Sequence, residues 1–218
     1  MSVSAPVWQA AFDELVAFAT GGPRRDALLE SRAEYFERTG EIFEDDKQFE
    51  ARMASMLEFH VFDRPSPTSG LTPAREYYLE VVTQGPPERA AGFRKLTETL
   101  HSLFLVRRLK EGAVTLEDLH DGATIEVAER RALAGLGKGD VLEARLVPWD
   151  EQPSFAPAFC FHPRQVAELI GREARRRRKV SPDAPRETLI WDCARRSLKA
   201  DRYRNVALEK IYDFSASG

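Results

Sequence analysis

The chain has 218 residues, of which 43% are apolar and 10% aromatic, enough to bury a core in one large domain or two small packed ones. Charged residues reach 31% but nearly cancel, at a formal net charge of −3, so the composition excludes a disordered chain and marks neither a nucleic-acid binder nor a membrane binder. The two cysteines, Cys160 and Cys193, are too few for a disulfide scaffold and point to a reduced, cytoplasmic setting.

The stretch from Met1 to Trp8 lacks a basic start followed by an apolar run, so no signal peptide is expected. No apolar run approaches the roughly 20 residues of a membrane span. Frequent Arg, Ala, Pro and Leu read as coding from a GC-rich bacterial genome.

The first hundred residues read as helices. Trp8, Ala11, Phe12, Leu15 and Phe18 recur at helical spacing until Gly21-Gly22-Pro23. Arg25 to Thr39 follows, with Leu28, Leu29, Tyr35 and Phe36 apolar and Gly40 as the C-terminal breaker. A third helix is expected from an N-cap at Asp45 or Asp46, with Phe49, Met53, Met56, Leu57 and His60 as its stripe. It stops before Arg64-Pro65-Ser66-Pro67. Thr72-Pro73 opens a fourth, carrying Tyr77, Tyr78, Leu79, Val81 and Val82, and Glu88 to Leu100 supplies a fifth.

Near residue 102 the period changes to two. A β-prone run covers Ser102 to Leu109, and Val114/Leu116, Ile125/Val127 and Leu142/Ala144/Leu146 alternate with polar neighbours. A further strand fits Phe155 to Phe161. Turns at Lys110-Glu111-Gly112 and His120-Asp121-Gly122 predict a small antiparallel meander or barrel with one wet face, on which Glu143 and Arg145 fall. After Pro163 the chain is helical again, with Val166, Ala167, Leu169 and Ile170 on one face, a basic run Arg172 to Lys179, a break at Ser181 to Pro185, and Leu189 to Leu208 beyond. The fold class is therefore α+β: a helical region over 1–100, a β-unit over 101–162 and a basic helical region over 163–218.

Phe59-His60-Val61-Phe62-Asp63-Arg64, Gly70-Leu71-Thr72-Pro73, Leu116-Glu117-Asp118-Leu119, Val127-Ala128-Glu129-Arg130 and Gly137 to Val147 together form a pattern across roughly residues 49–162. It resembles the uncharacterised region that precedes the metal-binding motif in bacterial proteins of the SEC-C-motif group. Those proteins are named for a cysteine- and histidine-rich zinc motif. The C-terminal third here holds only Cys193, without a nearby second Cys or His, so zinc binding does not carry over.

No convincing nucleophile, acid–base pair, metal cage or cofactor loop emerges. Gly135 to Asp140 has the wrong order for a phosphate-binding loop and reads as a turn into a strand. Cys160 and His162, two apart on a strand, share a face and are the weak candidates for a thiolate–imidazole pair or two metal ligands. Glu58, His60 and Asp63 cluster at the end of the third helix, with His60 as a partly buried histidine on its apolar stripe. Arg107-Arg108 with Asp118 to Gly122 departs from the spacing of a cyclic-dinucleotide site.

The anomaly is charge. Residues 164–210 hold fourteen Lys/Arg against seven Asp/Glu, a surplus of seven, whereas the rest of the chain holds eighteen against twenty-eight, a deficit of ten. Within the basic part, Arg172, Arg175, Arg176, Arg177, Arg178 and Lys179 span two helical turns. Four successive arginines at 100° steps surround a helix rather than line one face, and no helix-turn-helix, zinc finger or aromatic RNA-binding pattern accompanies them. For the run itself three readings stand, in this order: a solvated helix end with its cations near the negative C-terminal dipole, a surface for an acidic protein partner or for the chain's own acidic half, and nucleic-acid contact. The chain as a whole reads as a non-catalytic protein-interaction or regulatory protein with no cofactor and a protein partner of unknown identity. Non-specific nucleic-acid contact is the alternative, an enzyme with an unrecognised site the third possibility, and no membrane partner is expected.

Overall fold

The computed structural model of the protein describes residues 8–129 and 135–215. Outside them lie the N-terminal stretch read above for a signal peptide, apart from Trp8, and Arg130 of the resemblance pattern. The α+β architecture holds, with helices on either side of a five-stranded sheet.

Helix α1 (Gln9–Thr20) buries Phe12, Leu15 and Ala19 and stops at Gly21. Helix α2 (Arg25–Thr39) ends where the sequence places its breaker. Gly40 adopts φ 92°, and a Cβ there would lie 2.9 Å from Leu198 Cδ2, so both backbone and space require glycine. Helix α3 (Phe49–Glu58) begins three residues after the expected cap at Asp46. The Asp46 carboxylate is already engaged, accepting from the Phe43 amide at 2.8 Å and from Arg202 Nε at 3.0 Å, so it folds the preceding loop instead of capping the helix. A π-helical turn, Phe59–Asp63, extends α3 to Arg64 and Pro65. In α4 (Pro73–Gln84), Thr72 Oγ1 accepts from the Arg75 amide as the Thr-Pro opening predicts. Helix α5 (Pro87–Leu96) stops short of the expected Leu100, because that residue already belongs to the first strand.

The strands are β1 (Leu100–Lys110), β2 (Ala113–Asp118), β3 (Thr124–Ala128), β4 (Val141–Val147) and β5 (Ser154–Phe161). Their order corrects the expected antiparallel meander. It runs β1-β2-β3-β5-β4, with β4 returning to pair with β1. All ladders are antiparallel except the contact of β3 with β5, a single parallel pair of Ala128 with Ser154 that brings the curled sheet round on itself. A mixed sheet that meets itself at one pair is curled and nearly closed rather than laddered all the way round. Its Greek-key connectivity is that of five-stranded, partly open sheets of the OB type.

The concave face holds the alternating set anticipated from sequence: Val114, Leu116, Val127, Leu142, Ala144 and Leu146, joined by Phe104, Val106 and Phe155. The opposite face of β1, β4 and β5 is not wet. All seven residues of β4 are buried. On one side of this face Val147 and Ala156 pack into a cluster with Trp8, Phe12, Leu15, Val61 and Leu96. On the other, Leu103 and Val141 join Ile170 and Ala174 of α6 (Ala167–Val180) and Ile190 and Cys193 of α7 (Glu187–Arg202). A last helical turn, α8 (Leu208–Ile211), leads to Tyr212 in this second cluster. The sheet is thus covered by the N-terminal helices over one half and the C-terminal helices over the other.

Candidate functional site

Helix α6 sorts its cations by helical phase. Ile170, Glu173 and Ala174 face the protein, and that phase turns Arg172, Arg175, Arg176 and Lys179 outward, all four exposed. Their spacing of i, i+3, i+4, i+7 makes a single stripe about 10 Å long. The four successive arginines 175–178 do point to different sides, as expected, while these four cations, drawn from both ends of the run, share one face. Arg177 turns inward, donating to Glu173 Oε1 at 2.7 Å and to Asp192 of α7. Arg178 reaches the β2–β3 turn, where a Cβ on Gly122 (φ 84°) would stand 2.3 Å from its Nη1. Arg176 belongs to both groups: it is exposed, yet it grips both oxygens of Glu173 at 2.7 Å. Burial would push the Glu173 carboxyl up, but the hydrogen bonds from Arg176 and Arg177 outweigh it and hold the carboxyl below its usual range.

Beside the stripe runs a groove of about 520 Å³. Arg172 and Arg176 form one wall, Glu209 and Asp213 the other, and Leu169, Tyr212 and Phe214 supply apolar surface between them. Tyr212 is buried, and its hydroxyl is hydrogen-bonded to His162 Nδ1 at 3.1 Å.

Between the two apolar clusters on the convex side of the sheet lies a buried polar seam. Glu143 and Arg145 of β4, each 1% exposed in its side chain, point into it with His101 of β1 and with Cys160 and His162 at the end of β5. From α3 and its π-turn come Arg52, Glu58 and Asp63. Arg145 donates to Glu58 Oε2 at 3.2 Å, to Thr99 Oγ1 at 3.1 Å and to Asp63, and its guanidinium lies 4.8 Å from the Phe62 ring centre. Glu58 also accepts from the Ala158 amide, but its burial dominates and raises its carboxyl above the ordinary range. His101 Nε2 approaches Glu143 Oε1 at 3.3 Å, and its Nδ1 lies 3.8 Å from Asp63. Burial alone would raise the Glu143 carboxyl. The hydrogen bond from His101, with the charges of His101 and Arg52, reverses this and lowers it.

Cys160 and His162 do share a face, as expected, and both are buried in this seam, away from the phenyl rings of Phe155 and Phe159 on the concave side. Burial pushes the Cys160 thiol up to about 12 and the His162 imidazole down to about 4, so at neutral pH they are thiol and neutral ring. That is the opposite of an activated thiolate–imidazolium couple. Among the described residues no group of three or more His, Cys, Asp or Glu is placed to hold a metal ion. The cluster Glu58–His60–Asp63 divides: Glu58 and Asp63 serve Arg145, while His60 turns the other way, to Ser31 Oγ at 2.7 Å and the Ala19 carbonyl at 2.9 Å. Gly135 to Asp140 is a turn into β4, with Asp140 accepting from the Gly137 amide at 2.6 Å and from Arg164.

Sequence reasoning assigned Glu143 and Arg145 to solvent and overlooked Arg52 and His101. A signal was present. Strand β5 has no charged residue on either face, so its convex face had to be covered, and β4 beside it had to be covered too.

The chain belongs to a family of unknown function, DUF7986, which matches residues 28–188. Neither the curated proteins nor the solved structures give a match. The family match takes in the seam and all of α6. Among the described residues no helix is long and apolar enough to cross a membrane.

Proposed function

We propose that this is a non-catalytic, regulatory interaction module that binds an acidic protein segment along α6. The observation that carries the reading is the exposed stripe Arg172, Arg175, Arg176 and Lys179 beside a groove with an apolar floor. A segment with two or three carboxylates and one aliphatic or aromatic anchor would satisfy both. The acidic far wall, Glu209 and Asp213, would repel a polyanion lying in the groove but tolerates a peptide of mixed charge.

A further observation favours protein over nucleic acid. OB-type sheets take oligonucleotides on the face of strands 2 and 3, usually on stacking aromatics. Here that face carries Thr115, Glu117, Thr124 and Glu126 instead, with Glu117 paired to Arg107 and Glu126 to Lys110. The groups suited to acid–base chemistry, meanwhile, are spent on one another inside the seam. Two free, buried thiols are consistent with a reducing, cytoplasmic location in a bacterium. On this reading the resemblance of residues 49–162 to the region preceding the SEC-C motif would be one of shared scaffold.

The test is fluorescence anisotropy with three labelled probes: a Glu-rich peptide bearing one Leu or Trp, a DNA duplex and a single strand. Each is titrated against wild type and against Arg172→Gln/Arg175→Gln/Lys179→Gln. That triple variant spares Arg177, whose inward ion pairs make it structural. The peptide should bind and the variant should lose it, while both nucleic acids stay weaker than about 10⁻⁵ M at physiological salt. Nanomolar duplex binding that falls steeply with salt, abolished in the variant, would replace the protein partner with nucleic acid.

A further inference from the structure

The loop between α2 and α3 reads Gly40-Glu41-Ile42-Phe43-Glu44-Asp45-Asp46-Lys47. Ile42 is buried and anchors it, whereas Phe43 is 58% exposed and Glu41, Glu44, Asp45 and Lys47 stand in solvent. The loop is held in shape by Arg202 of α7. That guanidinium donates to the Glu41 carbonyl at 2.8 Å and to the two Asp46 oxygens at 3.0 and 2.6 Å, and lies 5.0 Å from the Phe43 ring centre. Asp46 is thereby spent and Glu41 lies 3.6 Å from Arg32, but Glu44 and Asp45 have no ion pair among the described residues. A single exposed ring needs no partner to explain it. What points to one is the match between this loop and the groove beside α6.

We propose that the occupant of the α6 groove is a second copy of this chain, which inserts its Phe43 loop. The proposal rests on the reading of the groove as a site for an acidic segment and names that segment. Phe43 supplies the anchor for the apolar floor of Leu169, Tyr212 and Phe214. Glu44 and Asp45 answer Arg172 and the other outward cations, and Lys47 answers the acidic wall of Glu209 and Asp213. Both signs of charge are then matched, where a purely acidic segment would be repelled by the far wall. The pairing is between copies, because the Arg202 clamp ties the loop to the end of α7 and the loop does not line its own groove. A net charge of −3 sets only weak repulsion against it. Two copies exchanging loops about a two-fold axis close a dimer with two such contacts, and single contacts repeated in one direction give an open chain.

The experiment is sedimentation velocity on the full chain between about 1 μM and about 1 mM. Wild type should associate, and the association should weaken at least about tenfold between about 50 and about 500 mM salt. Phe43→Ser should weaken it by a similar factor. Two charge reversals decide the geometry: Glu44→Lys/Asp45→Lys on the loop, and Arg172→Glu/Arg175→Glu on α6. Both leave Ile42, Asp46 and Arg176 in place, so the loop clamp and the Glu173 ion pairs remain. Each variant alone should stay monomeric. Mixed in equal amounts they should associate, because reversed loop meets reversed groove and native loop meets native groove. A wild type that is monomeric at about 1 mM would overturn the proposal, as would association that survives either reversal or a mixture that stays monomeric. The Glu-rich peptide separates this failure from that of the groove. A monomer that still binds the peptide through Arg172, Arg175 and Lys179 loses only the second copy, and a monomer that ignores the peptide loses the acidic-segment reading as well.

Discussion

Arg145→Met probes the seam most directly. The substitution keeps a long unbranched chain beside Phe62 but removes the cation shared by Glu58, Asp63 and Thr99. Asp63 is partly exposed and can recover water, whereas Glu58 is buried and keeps only the Ala158 amide. Glu58 then has two options in the folded state. It can remain charged and unpaired, or it can take up a proton. Protonating a carboxyl of ordinary pKa 4.5 at pH 7 costs about 3.4 kcal/mol, which caps this part of the loss and falls within the roughly 3–5 kcal/mol typical of a broken buried ion pair.

The sign of the pH dependence follows. In the variant the folded-state pKa of Glu58 lies above its unfolded value, so the folded state holds the proton more tightly and stability declines as pH rises past 4.5. The deficit relative to wild type should therefore shrink between pH 7 and pH 5 by at most about 2.7 kcal/mol, at 1.36 kcal/mol per pH unit, and by less than that because the wild-type carboxyl is itself raised. Urea unfolding of both proteins at the two pH values measures it. A deficit under about 1 kcal/mol at pH 7, or one that does not change with pH, would mean that Glu58 reaches solvent or another cation once Arg145 is gone, and that the seam is not the closed network described here.

Other outcomes can be checked with the same protein. Neither Cys160 nor Cys193 should react with a thiol reagent at pH 8 in the native state, because burial raises both thiols, and both should react after denaturation; rapid native labelling would refute their burial. His162, lowered to about 4 by burial from an ordinary 6.5, makes the unfolded chain the tighter proton binder in that window. Wild-type stability should fall as pH drops from 6.5 towards 4, and a His162→Gln variant should show a flatter profile. Leu146→Ala should cost about 2–5 kcal/mol, and Ile125→Ala, only half-buried, clearly less; equal losses in chemical denaturation would mean the concave face is misassigned. Gly40→Ala should cost about 1–2 kcal/mol for the left-handed backbone alone, read as a lower melting temperature.

The helices and strands were legible because each carries its own punctuation. Gly40, Thr72-Pro73 and the Gly112 and Gly122 turns set boundaries within a residue or two. The α3 start was missed because two aspartates offered themselves as caps, and the one that folds the loop is held by Arg202, more than 150 residues away in the chain. Strand order was legible in part: the β1–β2, β2–β3 and β4–β5 neighbours are those of the expected meander, whereas the pairings of β4 with β1 and of β3 with β5 are not. Period-two alternation states which residues face inward but says nothing of which strands are neighbours. The insertion of β5 between β3 and β4 depends on a pairing across the whole β-unit. The same blindness hid the seam. Alternation identifies two faces and labels the polar one wet, yet Glu143 and Arg145 are polar because α3 brings Arg52, Glu58 and Asp63 down onto them. A charged residue opposite a charged residue from a distant helix has the same local sequence as one opposite water.

The basic run shows how far local sequence can go when the right question is put to it. Counting charges over 172–179 gives a ring around the helix, which fits no groove. Phasing them against the apolar positions gives a different object. Ile170, Ala174 and Arg177 fall at i, i+4 and i+7, so the inward face was already marked by two small or apolar residues and by the one acid in the run, Glu173. That face needs its arginine: Arg177 neutralises Glu173 and reaches Asp192, joining α6 to α7. What remains outside is Arg172, Arg175, Arg176 and Lys179, and among the described residues only Arg176 of these has an ion pair, with Glu173. The unbroken arginines thus serve two purposes that composition merges into one number. The inward member holds the C-terminal helices together, and the outward stripe gives a near-neutral protein a locally cationic surface. A partner selected by that surface would answer to the stripe's charge and not to the net charge of the chain, which is why binding should follow the Arg172, Arg175 and Lys179 substitutions and tolerate changes of charge elsewhere on the molecule.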